Sequence, residues 1–359
     1  MHTNHDLPKP EGLFERIIQF SIQNAIWVML FVCTWIAVGV YSYQKLPIDA
    51  VPDITNTQVQ INTQANGFTA LEVEQRITYP IETAMAGIPD LQLTRSISRY
   101  GLSQVTIVFE DGTDIYWARQ QINQRVQEVK ADLPSDVSPT MSPVSTGLGE
   151  IYQWVIKAEP NAKKADGTTY SAMDLREIQD WIVRPQLQRV AGVAEVNSIG
   201  GFNKTYVVAP DLNRMQQLNI SLSQLQTALQ ENNENRGAGY IEENGQQLTV
   251  RVPGTLNSLA DIENTTVASP NGNPIRVADI AQVSIDHDLR TGGATYNGEE
   301  TVLGIAMMMM GENSRTVSKA VDAKIQEVQS SLPQGVTIET VYDRTTLVEK
   351  AIKTVQKNL

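Results

Sequence analysis

A continuous apolar segment near the N-terminus limits what this chain can fold into more than any other feature. Residues 17–44 contain no charged side chain, and Ala25–Tyr41 is almost wholly apolar. At roughly 1.5 Å per residue, a helix of this length crosses a hydrocarbon core about 30 Å thick. The segment after Val40, YSYQKLP, offers no small-residue cleavage site of the kind that ends a signal peptide. We therefore predict one uncleaved membrane helix.

The charges and the cysteine around this helix suggest where the rest of the chain lies. Lys9 and Arg16 precede the apolar segment and Lys45 follows it, which favours a cytoplasmic N-terminus. The chain after Lys45 would then lie outside the cytoplasm. The single cysteine, Cys33, falls inside the predicted helix. This excludes a disulfide framework and any cysteine-rich zinc or iron–sulfur site within the chain.

Length and charge narrow the class of protein further. A chain of 359 residues exceeds one ordinary hydrophobic core, so two or three domains are expected. The formal net charge of −12 argues against a nucleic-acid partner, because phosphate binding needs clustered lysine and arginine.

The region after the apolar segment reads as alternating strands and helices. Residues 57–64 alternate polar and apolar side chains as a half-buried strand does, and residues 69–87 have helical spacing broken at Pro80. Residues 103–112 predict a strand ending in glycine, and residues 113–134 predict a long helix that a proline ends. Together these segments predict a β-α-β-β-α-β unit.

The unit occurs twice in the chain. One set of residues recurs 105 positions later and a second set recurs 199 positions later. In the first set, Ile77, Pro80, Ala86, Gly87, Ile88 and Leu91 match Ile182, Pro185, Ala191, Gly192, Val193 and Val196. In the second set, Gly112, Gln127, Glu128, Val129, Leu133, Pro134 and Val137 match Gly311, Gln326, Glu327, Val328, Leu332, Pro333 and Val336. The difference between the two offsets predicts a long insertion between the halves of the second copy.

The insertion, residues 202–283, has a pattern of its own. It contains the strand-like segment KTYVVAP, the helix-like segment DLNRMQQLNISLSQLQTALQENN, and two further strand-like segments around turn-forming residues. We interpret it as a module added to a two-repeat platform. The final segment, residues 343–359, begins an amphipathic helix that we interpret as the approach to a further membrane crossing.

Three sequence stretches carry a resemblance to a known family. They are KLPIDAVPDITNTQVQINT, YPIETAMAGIPDLQLTRSISRYGLSQVTIVFEDGTDIYWARQQINQR, and GENSRTV followed by LPQGVTIETVYDRTTLVEKAI. From Phe14 onward the chain resembles the resistance-nodulation-division (RND) efflux pumps, and LPIDAVPDIT is similar to their heavy-metal branch rather than to their multidrug branch.

The resemblance implies an α+β fold. One transmembrane helix would be followed by two ferredoxin-like β-α-β-β-α-β porter subdomains, the second interrupted by an inserted α+β docking subdomain. Residues 1–44 would be the cytoplasmic N-terminus and first transmembrane helix, and residues 45–137 the first porter subdomain. The second porter subdomain would comprise residues 138–201 and 284–336, with the docking subdomain, residues 202–283, between its two parts. Residues 337–359 would be a return segment and the start of a second transmembrane helix. The chain would correspond to the N-terminal third of a longer pump.

The resemblance also implies a transporter rather than an enzyme. It predicts cation/proton antiport across the bacterial inner membrane, with most of this chain in the periplasm, and no cofactor, since metal cations and protons are the substrates. The expected partners are the lipid bilayer, two further copies in a homotrimer, a periplasmic adaptor protein and an outer-membrane channel protein. Such transport needs a protonatable carboxylate within the membrane. Residues 17–44 contain none, so that group is expected on a later helix.

Asp286, His287 and Asp288 are the best candidates for binding a borderline cation such as Zn²⁺ or Co²⁺. Adjacent side chains on a strand point to opposite faces, so the two aspartates are expected to converge while His287 faces away from them. Both a surface strand and a transient metal contact remain open for this segment.

Four consecutive methionines, Met307–Met310, are candidates for binding a soft cation such as Cu(I). The 199-residue offset places them at the end of a strand, where Met308 and Met310 would share the face that packs against helices. Core packing and a soft-metal contact are both possible roles. Leu289, where the copper and silver branch is expected to carry methionine, favours divalent Zn²⁺, Co²⁺ or Cd²⁺. The alternatives are a Cu(I)/Ag(I) pump, a multidrug pump, and a membrane-anchored periplasmic binding or sensor module.

Overall fold

The computed structural model describes residues 12–45, 55–234, 236–243, 246–252, 254–288, 290 and 292–358. These residues form two compact units. The first contains the described residues up to Ser142, with Met309–Ser318 and the segment from Arg344, and the second contains Pro143–Met308 and Lys319–Asp343. Each unit combines helices with antiparallel strands, so the predicted mixed α and β class is confirmed.

Two helices, α1 (Leu13–Gln23) and α2 (Ala25–Lys45), begin the described chain. Within the described residues, Ala25–Ser42 is the one helical stretch long and apolar enough to cross a membrane, and none of it is buried against protein. The position of the predicted apolar span is thus confirmed. The predicted cytoplasmic tail before it, residues 1–11, lies outside the described residues.

The next elements form a four-stranded antiparallel sheet with helices in the chain order β-α-β-β-α-β, where the first helical layer is in two pieces. They are β1 (Gln58–Gln64), α3 (Ala70–Val73), α4 (Tyr79–Met85), β2 (Leu91–Arg99), β3 (Leu102–Phe109), α5 (Ile115–Val129) and β4 (Ser138–Met141). The strand order is β2-β3-β1-β4. The core lies on the face that alternate residues of β1 and β3 share, including Val59, Ile61, Val105 and Ile107.

The helix that was predicted to break at Pro80 continues through this residue in the structure. Between α3 and α4 the chain continues as a π-helical turn, Glu74–Thr78. Proline has no N–H to donate to the preceding turn. The wider turn satisfies its neighbour instead, because the Tyr79 N–H donates to the carbonyl of Glu74. The helix therefore passes through Pro80 without breaking.

The second unit begins with a strand, a helical layer in two pieces and a further strand. They are β5 (Glu150–Ala158), α6 (Ala172–Ile178), α7 (Arg184–Leu187) and β6 (Val193–Gly200). A second π-helical turn, Gln179–Val183, joins α6 to α7, whose second residue is Pro185.

The inserted segment follows β6 and has its own core. Its elements are β7 (Lys204–Pro210), α8 (Leu212–Gln217), α9 (Leu222–Glu231), β8 (Arg236–Glu243), β9 (Gln246–Val252), α10 (Leu259–Glu263), β10 (Thr266–Ala268), β11 (Ile275–Arg276), α11 (Val277–Ile280) and β12 (Ala281–His287). The strands β7 and β12, at its two ends, pair antiparallel with each other. The helix-like segment after β7 forms two helices rather than one, because Asn219 between them adopts a left-handed conformation with φ 58°. The core residues are Met215, Ile220, Leu225, Ile262, Ile275, Val277, Ile280 and Ala281.

The chain then returns to the second sheet. The last elements are β13 (Ala294–Tyr296), β14 (Glu299–Met308), α12 (Ser314–Gln329), β15 (Val336–Asp343) and α13 (Arg344–Asn358). The sheet has the order β13-β14-β5-β15, and β6 also pairs with β14. The predicted porter subdomains end at residues 137 and 336, whereas the final strands of the two sheets, β4 and β15, continue to Met141 and Asp343.

The offsets of the repeat recur in the backbone, with one correction. The two π-helical turns lie 105 positions apart from each other, and the last residues of β3 and β14 lie 199 positions apart. In the strand register, however, Leu91 pairs with Phe109 whereas Val193 pairs with Met308. The structural counterpart of Leu91 is therefore Val193 and not Val196, because the turn that leads into β6 is shorter than the turn that leads into β2.

Candidate functional site

The predicted cluster at Asp286 to Asp288 lies at the end of β12 and is exposed to solvent. Its geometry differs from the expected alternation. The His287 backbone N–H donates to Asp286 Oδ1 at 2.9 Å, and His287 Nε2 lies 3.7 Å from the same oxygen. The imidazole thus lies beside Asp286 rather than facing away from it, because the strand ends at His287 and regular alternation stops there.

Asp288 does not join these two side chains as a third ligand. Its Oδ2 accepts a hydrogen bond from Asn203 Nδ2 at 2.8 Å, and its backbone carbonyl lies 2.9 Å from His287 Nδ1. Among the described residues, no three His, Cys, Asp or Glu side chains come close enough together to hold a metal ion. The expected convergence of the two aspartates on one cation is therefore not seen. Leu289, the residue used to discriminate between metals, lies outside the described residues.

His287 instead takes part in a packed aromatic and cationic cluster where the insertion returns to the sheet. Its ring lies 4.6 Å from the ring of Phe202, at an interplanar angle of 40°. The Arg290 guanidinium lies 4.9 Å from the centre of the same phenyl ring, which is a favourable cation–π position. Arg290 Nη2 also pairs with Glu300 Oε1 at 2.5 Å. These contacts fasten the return strand of the insertion to β14.

The end of β6, where the chain leaves the sheet and enters the insertion, is held against α6. Gly200 and Gly201 have φ values of 84° and 65°, in the left-handed region that favours glycine. Arg176 Nη1 donates to the Gly200 carbonyl at 2.8 Å, and Lys204 Nζ lies 3.1 Å from Glu177 Oε2. A Cβ at Gly201 would lie only 2.7 Å from the carbonyl oxygen of Ala172, the first residue of α6. The backbone at the start of the insertion therefore contacts this helix directly.

A chain of hydrogen bonds extends from this junction into the core of the second sheet. Trp154 Nε1 donates to Gln179 Oε1 at 3.0 Å, and Gln179 Nε2 donates to Ser198 Oγ at 3.3 Å. Ser198 Oγ then donates to Asp180 Oδ1 at 2.6 Å, and Arg176 Nε donates to Asp180 Oδ2 at the same distance. Trp154 and Gln179 are fully buried. Sequence patterns did not reveal this network, although a glutamine on the apolar side of a predicted helix was a usable signal.

A second buried polar contact links β5, α12 and β15. Tyr152 Oη donates to Asp322 Oδ1 at 2.5 Å and lies 2.8 Å from Thr340 Oγ1. Burial, together with the hydrogen bond to Asp322, raises the pKa of the Tyr152 phenol well above its ordinary value. This group therefore stays protonated and ties three elements together.

The four methionines do not follow the predicted alternation. The strand ends at Met308, and Met307 and Met308 are both buried. Register shifts relative to β5 and β6 fall at these two residues, and such bulges turn consecutive side chains to the same side. Met309 is 38% exposed and Met310 lies in the turn after the strand. The expectation that Met308 and Met310 share a strand face is therefore wrong.

The apolar helix α2 contains no carboxylate between Ala25 and Ser42. Its hydroxyl at Thr34 donates to the Leu30 carbonyl at 2.8 Å, so this polar group is satisfied within the helix. Phe31 and Trp35 pack edge to face with ring centres 6.0 Å apart. The side chains of this helix suit a hydrocarbon environment and offer no acid that could carry a proton.

One described cleft of the second unit lies beside the junction. It has a volume of about 220 Å³, and its lining residues are Arg176, Glu177, Asp180, Trp181, Asn203, Lys204 and Tyr206. Its charges form the two ion pairs of Arg176 with Asp180 and of Lys204 with Glu177. The cleft therefore belongs to the contacts that hold the start of the insertion.

Comparisons with known proteins agree with the sequence resemblance. A family model described as the AcrB/AcrD/AcrF family matches residues 17–359. The chain is 59% identical, over 97% of its length, to a cation efflux system protein CzcA from Alcaligenes sp. (strain CT14), and it covers 33% of that protein. It is also 59% identical, with the same coverage, to the cobalt-zinc-cadmium resistance protein CzcA of Cupriavidus metallidurans.

The fold is likewise similar to that of a crystal structure of a heavy metal efflux pump. The two agree with a TM-score of 0.83 at 32% identity, over 96% of this chain and 34% of the pump. The chain thus spans about a third of the length of the proteins that it matches.

Proposed function

The chain belongs to the AcrB/AcrD/AcrF family, and on that basis we propose that it is the N-terminal porter and docking part of a heavy-metal efflux pump. The pump would reside in the bacterial inner membrane and export cations in exchange for protons. The observation that carries this proposal is the 59% identity, over nearly the whole chain, to a protein named for cobalt, zinc and cadmium resistance. Divalent Zn²⁺, Co²⁺ and Cd²⁺ are accordingly the proposed substrates.

The topology of the two sheets supports the proposed assignment of porter subdomains. Each sheet has the strand arrangement in which the first strand lies centrally, beside the third, with the second and fourth at the edges. This is the arrangement of a ferredoxin-like β-α-β-β-α-β unit. Helices cover one face of such a sheet, so the unit can move as a stiff plate. We propose that two such plates form moving walls of the export path.

The insertion is the proposed docking subdomain. Its own apolar core and its pairing of β7 with β12 make it a separate folding element that is attached at one edge of the second sheet. In the proposed assembly, three copies join a periplasmic adaptor protein and an outer-membrane channel protein. The periplasm would contain most of the chain after α2.

Proton coupling in this proposal depends on a part of the pump other than α2. Burial in the membrane shifts the pKa of a carboxyl group and so couples its charge to a conformational change. The span Ala25–Ser42 has no Asp or Glu, so α2 would serve as an anchor and the protonated acid would lie on another helix.

The test is metal tolerance conferred by the intact gene in a host that lacks its own heavy-metal pumps. Expression should raise tolerance to Zn²⁺, Co²⁺ or Cd²⁺ and should speed the loss of preloaded radioactive zinc from cells. A protonophore should abolish that loss. A periplasmic binding module would retain metal independently of the proton gradient, and unchanged tolerance to all of Zn²⁺, Co²⁺, Cd²⁺ and Cu⁺ would refute the metal assignment.

The methionine segment offers a sharper test of which ion is exported. Met308 is buried and Met309 is exposed, so Met308→Leu and Met309→Leu are matched variants of one residue type. If Met308 packs the core and the pump exports divalent cations, neither variant should change tolerance to Zn²⁺ or Cu⁺. A selective loss of Cu⁺ tolerance in Met308→Leu or Met310→Leu would favour the alternative of a Cu(I)/Ag(I) pump.

A further inference from the structure

The helix that precedes the proposed membrane span has a two-sided sequence. In α1, LFERIIQFSIQ, successive residues turn by roughly 100°. By position, all of its large apolar residues fall on one broad side, and Glu15, Arg16, Gln19 and Gln23 fall on the other. A single residue, Asn24, separates the end of this helix from the start of α2.

The apolar side of α1 is uncovered in the described chain. Four large side chains on it, Ile17, Ile18, Phe20 and Ile22, are between 54% and 65% exposed. A contiguous patch of this kind marks a surface that contacts protein or lipid.

The length of α2 and its aromatic residues favour lipid as the cover of this patch. At roughly 1.5 Å per residue, its 21 residues already fill a hydrocarbon core about 30 Å thick. Trp27 and Tyr41 lie near its two ends, where aromatic residues mark the membrane interfaces. The patch on α1 therefore lies at the level of the lipid headgroups, just beyond the Trp27 end of the span.

We infer that α1 is an interfacial helix, with Ile17, Ile18, Phe20 and Ile22 seated in the bilayer surface on the N-terminal side of α2. This inference rests on the proposed membrane span. Such helices insert their apolar side about 5–10 Å into the boundary between headgroups and acyl chains. An upright continuation of α2 would instead leave these four side chains in the headgroup layer and in water. Asn24 is the one residue between α1 and α2, and its side-chain amide and its backbone N–H both donate to the Phe20 carbonyl.

Site-directed spin labelling can test the inference on the protein as the cell makes it, reconstituted in nanodiscs of phosphatidylethanolamine and phosphatidylglycerol. Cys33 is the only cysteine among residues 1–359, so Cys33→Ala, combined with replacement of any cysteine elsewhere in the full protein, provides a background for single labels at Ile18→Cys, Gln23→Cys and Ile36→Cys. Power saturation then compares the accessibility of each nitroxide to oxygen, which partitions into lipid, and to a nickel chelate, which stays in water. Ile18 and Gln23 lie on opposite sides of one helix and form a matched pair.

The expected ratio of oxygen to nickel-chelate accessibility is above one for the Ile18→Cys label and below one for the Gln23→Cys label. Nickel accessibility that dominates at both positions would overturn the inference, because α1 would then stand in water. Low accessibility to both reagents at Ile18→Cys would also overturn it and would identify protein as the cover. The Ile36→Cys label separates the two proposals, because a nickel-accessible label there would refute the membrane span itself.

Discussion

Replacing Gly304 by alanine should disrupt the centre of the second sheet. Gly304 lies on β14 between β5 and β6, and a Cβ built there would overlap the Cε2, Cζ2 and Nε1 atoms of the buried Trp154 indole. The indole cannot move aside freely, because Trp154 Nε1 donates to the buried Gln179 Oε1 at 3.0 Å. Glycine at this position makes room for the largest side chain of the core.

Two costs combine in Gly304→Ala. Forcing extra atoms into a packed core costs about 1–3 kcal/mol. Displacing the indole would leave a buried acceptor without its donor, which costs about 1–3 kcal/mol more. We therefore expect a local destabilisation of about 3 kcal/mol. Trp154→Phe removes the atoms that collide but also loses the hydrogen bond and leaves a cavity, so it should cost about 2–4 kcal/mol by itself.

The double variant distinguishes steric conflict from general fragility. Because phenylalanine lacks the indole atoms that the new methyl group would meet, Gly304→Ala with Trp154→Phe should cost about 2 kcal/mol less than the sum of the single variants. Gly147→Ala is the matched control, since a Cβ at Gly147 would meet no atom within 4 Å. It should change stability by less than about 0.5 kcal/mol, or stabilise slightly by restricting the unfolded chain.

Amide hydrogen exchange of β5 and β14 is the suitable assay. The chain has two compact units, so its unfolding need not be one transition, whereas exchange reports the opening of individual strands. A loss of 3 kcal/mol corresponds to exchange about 150-fold faster in Gly304→Ala than in the unsubstituted chain. Single-variant costs that add to within about 0.5 kcal/mol in the double variant, or a cost below about 1 kcal/mol for Gly304→Ala, would refute the proposed collision.

Two further predictions concern the same unit. Tyr152→Phe should destabilise β5 and β15 by about 1.5–3 kcal/mol, because it removes a bond to the Asp322 carboxylate. Because the folded state raises the pKa of Tyr152, this group contributes its full stabilisation below the pKa of the unfolded state, near pH 10, and the stabilisation declines as the pH rises past that value. Amide exchange measured from pH 8 to 11 should show this alkaline loss of stability in the unsubstituted chain but not in Tyr152→Phe. An equal loss in both proteins would contradict the assignment. Gly201→Ala should loosen the junction by more than the roughly 1–2 kcal/mol of a left-handed alanine alone, because its Cβ would also lie 2.8 Å from Val302 Cγ2. Gly298→Ala, at φ 85° and facing open space, isolates the conformational cost, and equal increases in protease sensitivity for the two variants would rule out the steric part.

The repeated unit could be predicted from sequence because both copies impose the same backbone demands at the same positions. Gly87 and Gly192, like Gly112 and Gly311, all have left-handed backbones in the structure. A residue without a Cβ is favoured at such turns in either copy. The pattern of apolar residues and the positions of proline then follow from packing one helical layer on each sheet.

The details that escaped prediction depend on contacts between distant segments. The bulged end of β14 arises from its pairing with two strands at once, so the four methionines carry no local sign that alternation stops there. The same applies to the bond between Trp154 and Gln179, whose partners lie 25 positions apart in the chain. Periodicity reports which face a side chain occupies, but it does not report the register between strands or the partner of a buried polar group.

The site of the insertion explains how a long segment can interrupt the second repeat without disturbing its sheet. The chain leaves the sheet at Gly200, which pairs with Val302, and returns at Ala294, which pairs with Thr301. Exit and return therefore face adjacent residues of the same strand, and the ends of the insertion are already held together by β7 and β12. Closing a longer loop between fixed ends costs only about 0.6 kcal/mol for each doubling of its length. A module with its own core can offset that cost, so the fixed offsets on either side of the insertion persist.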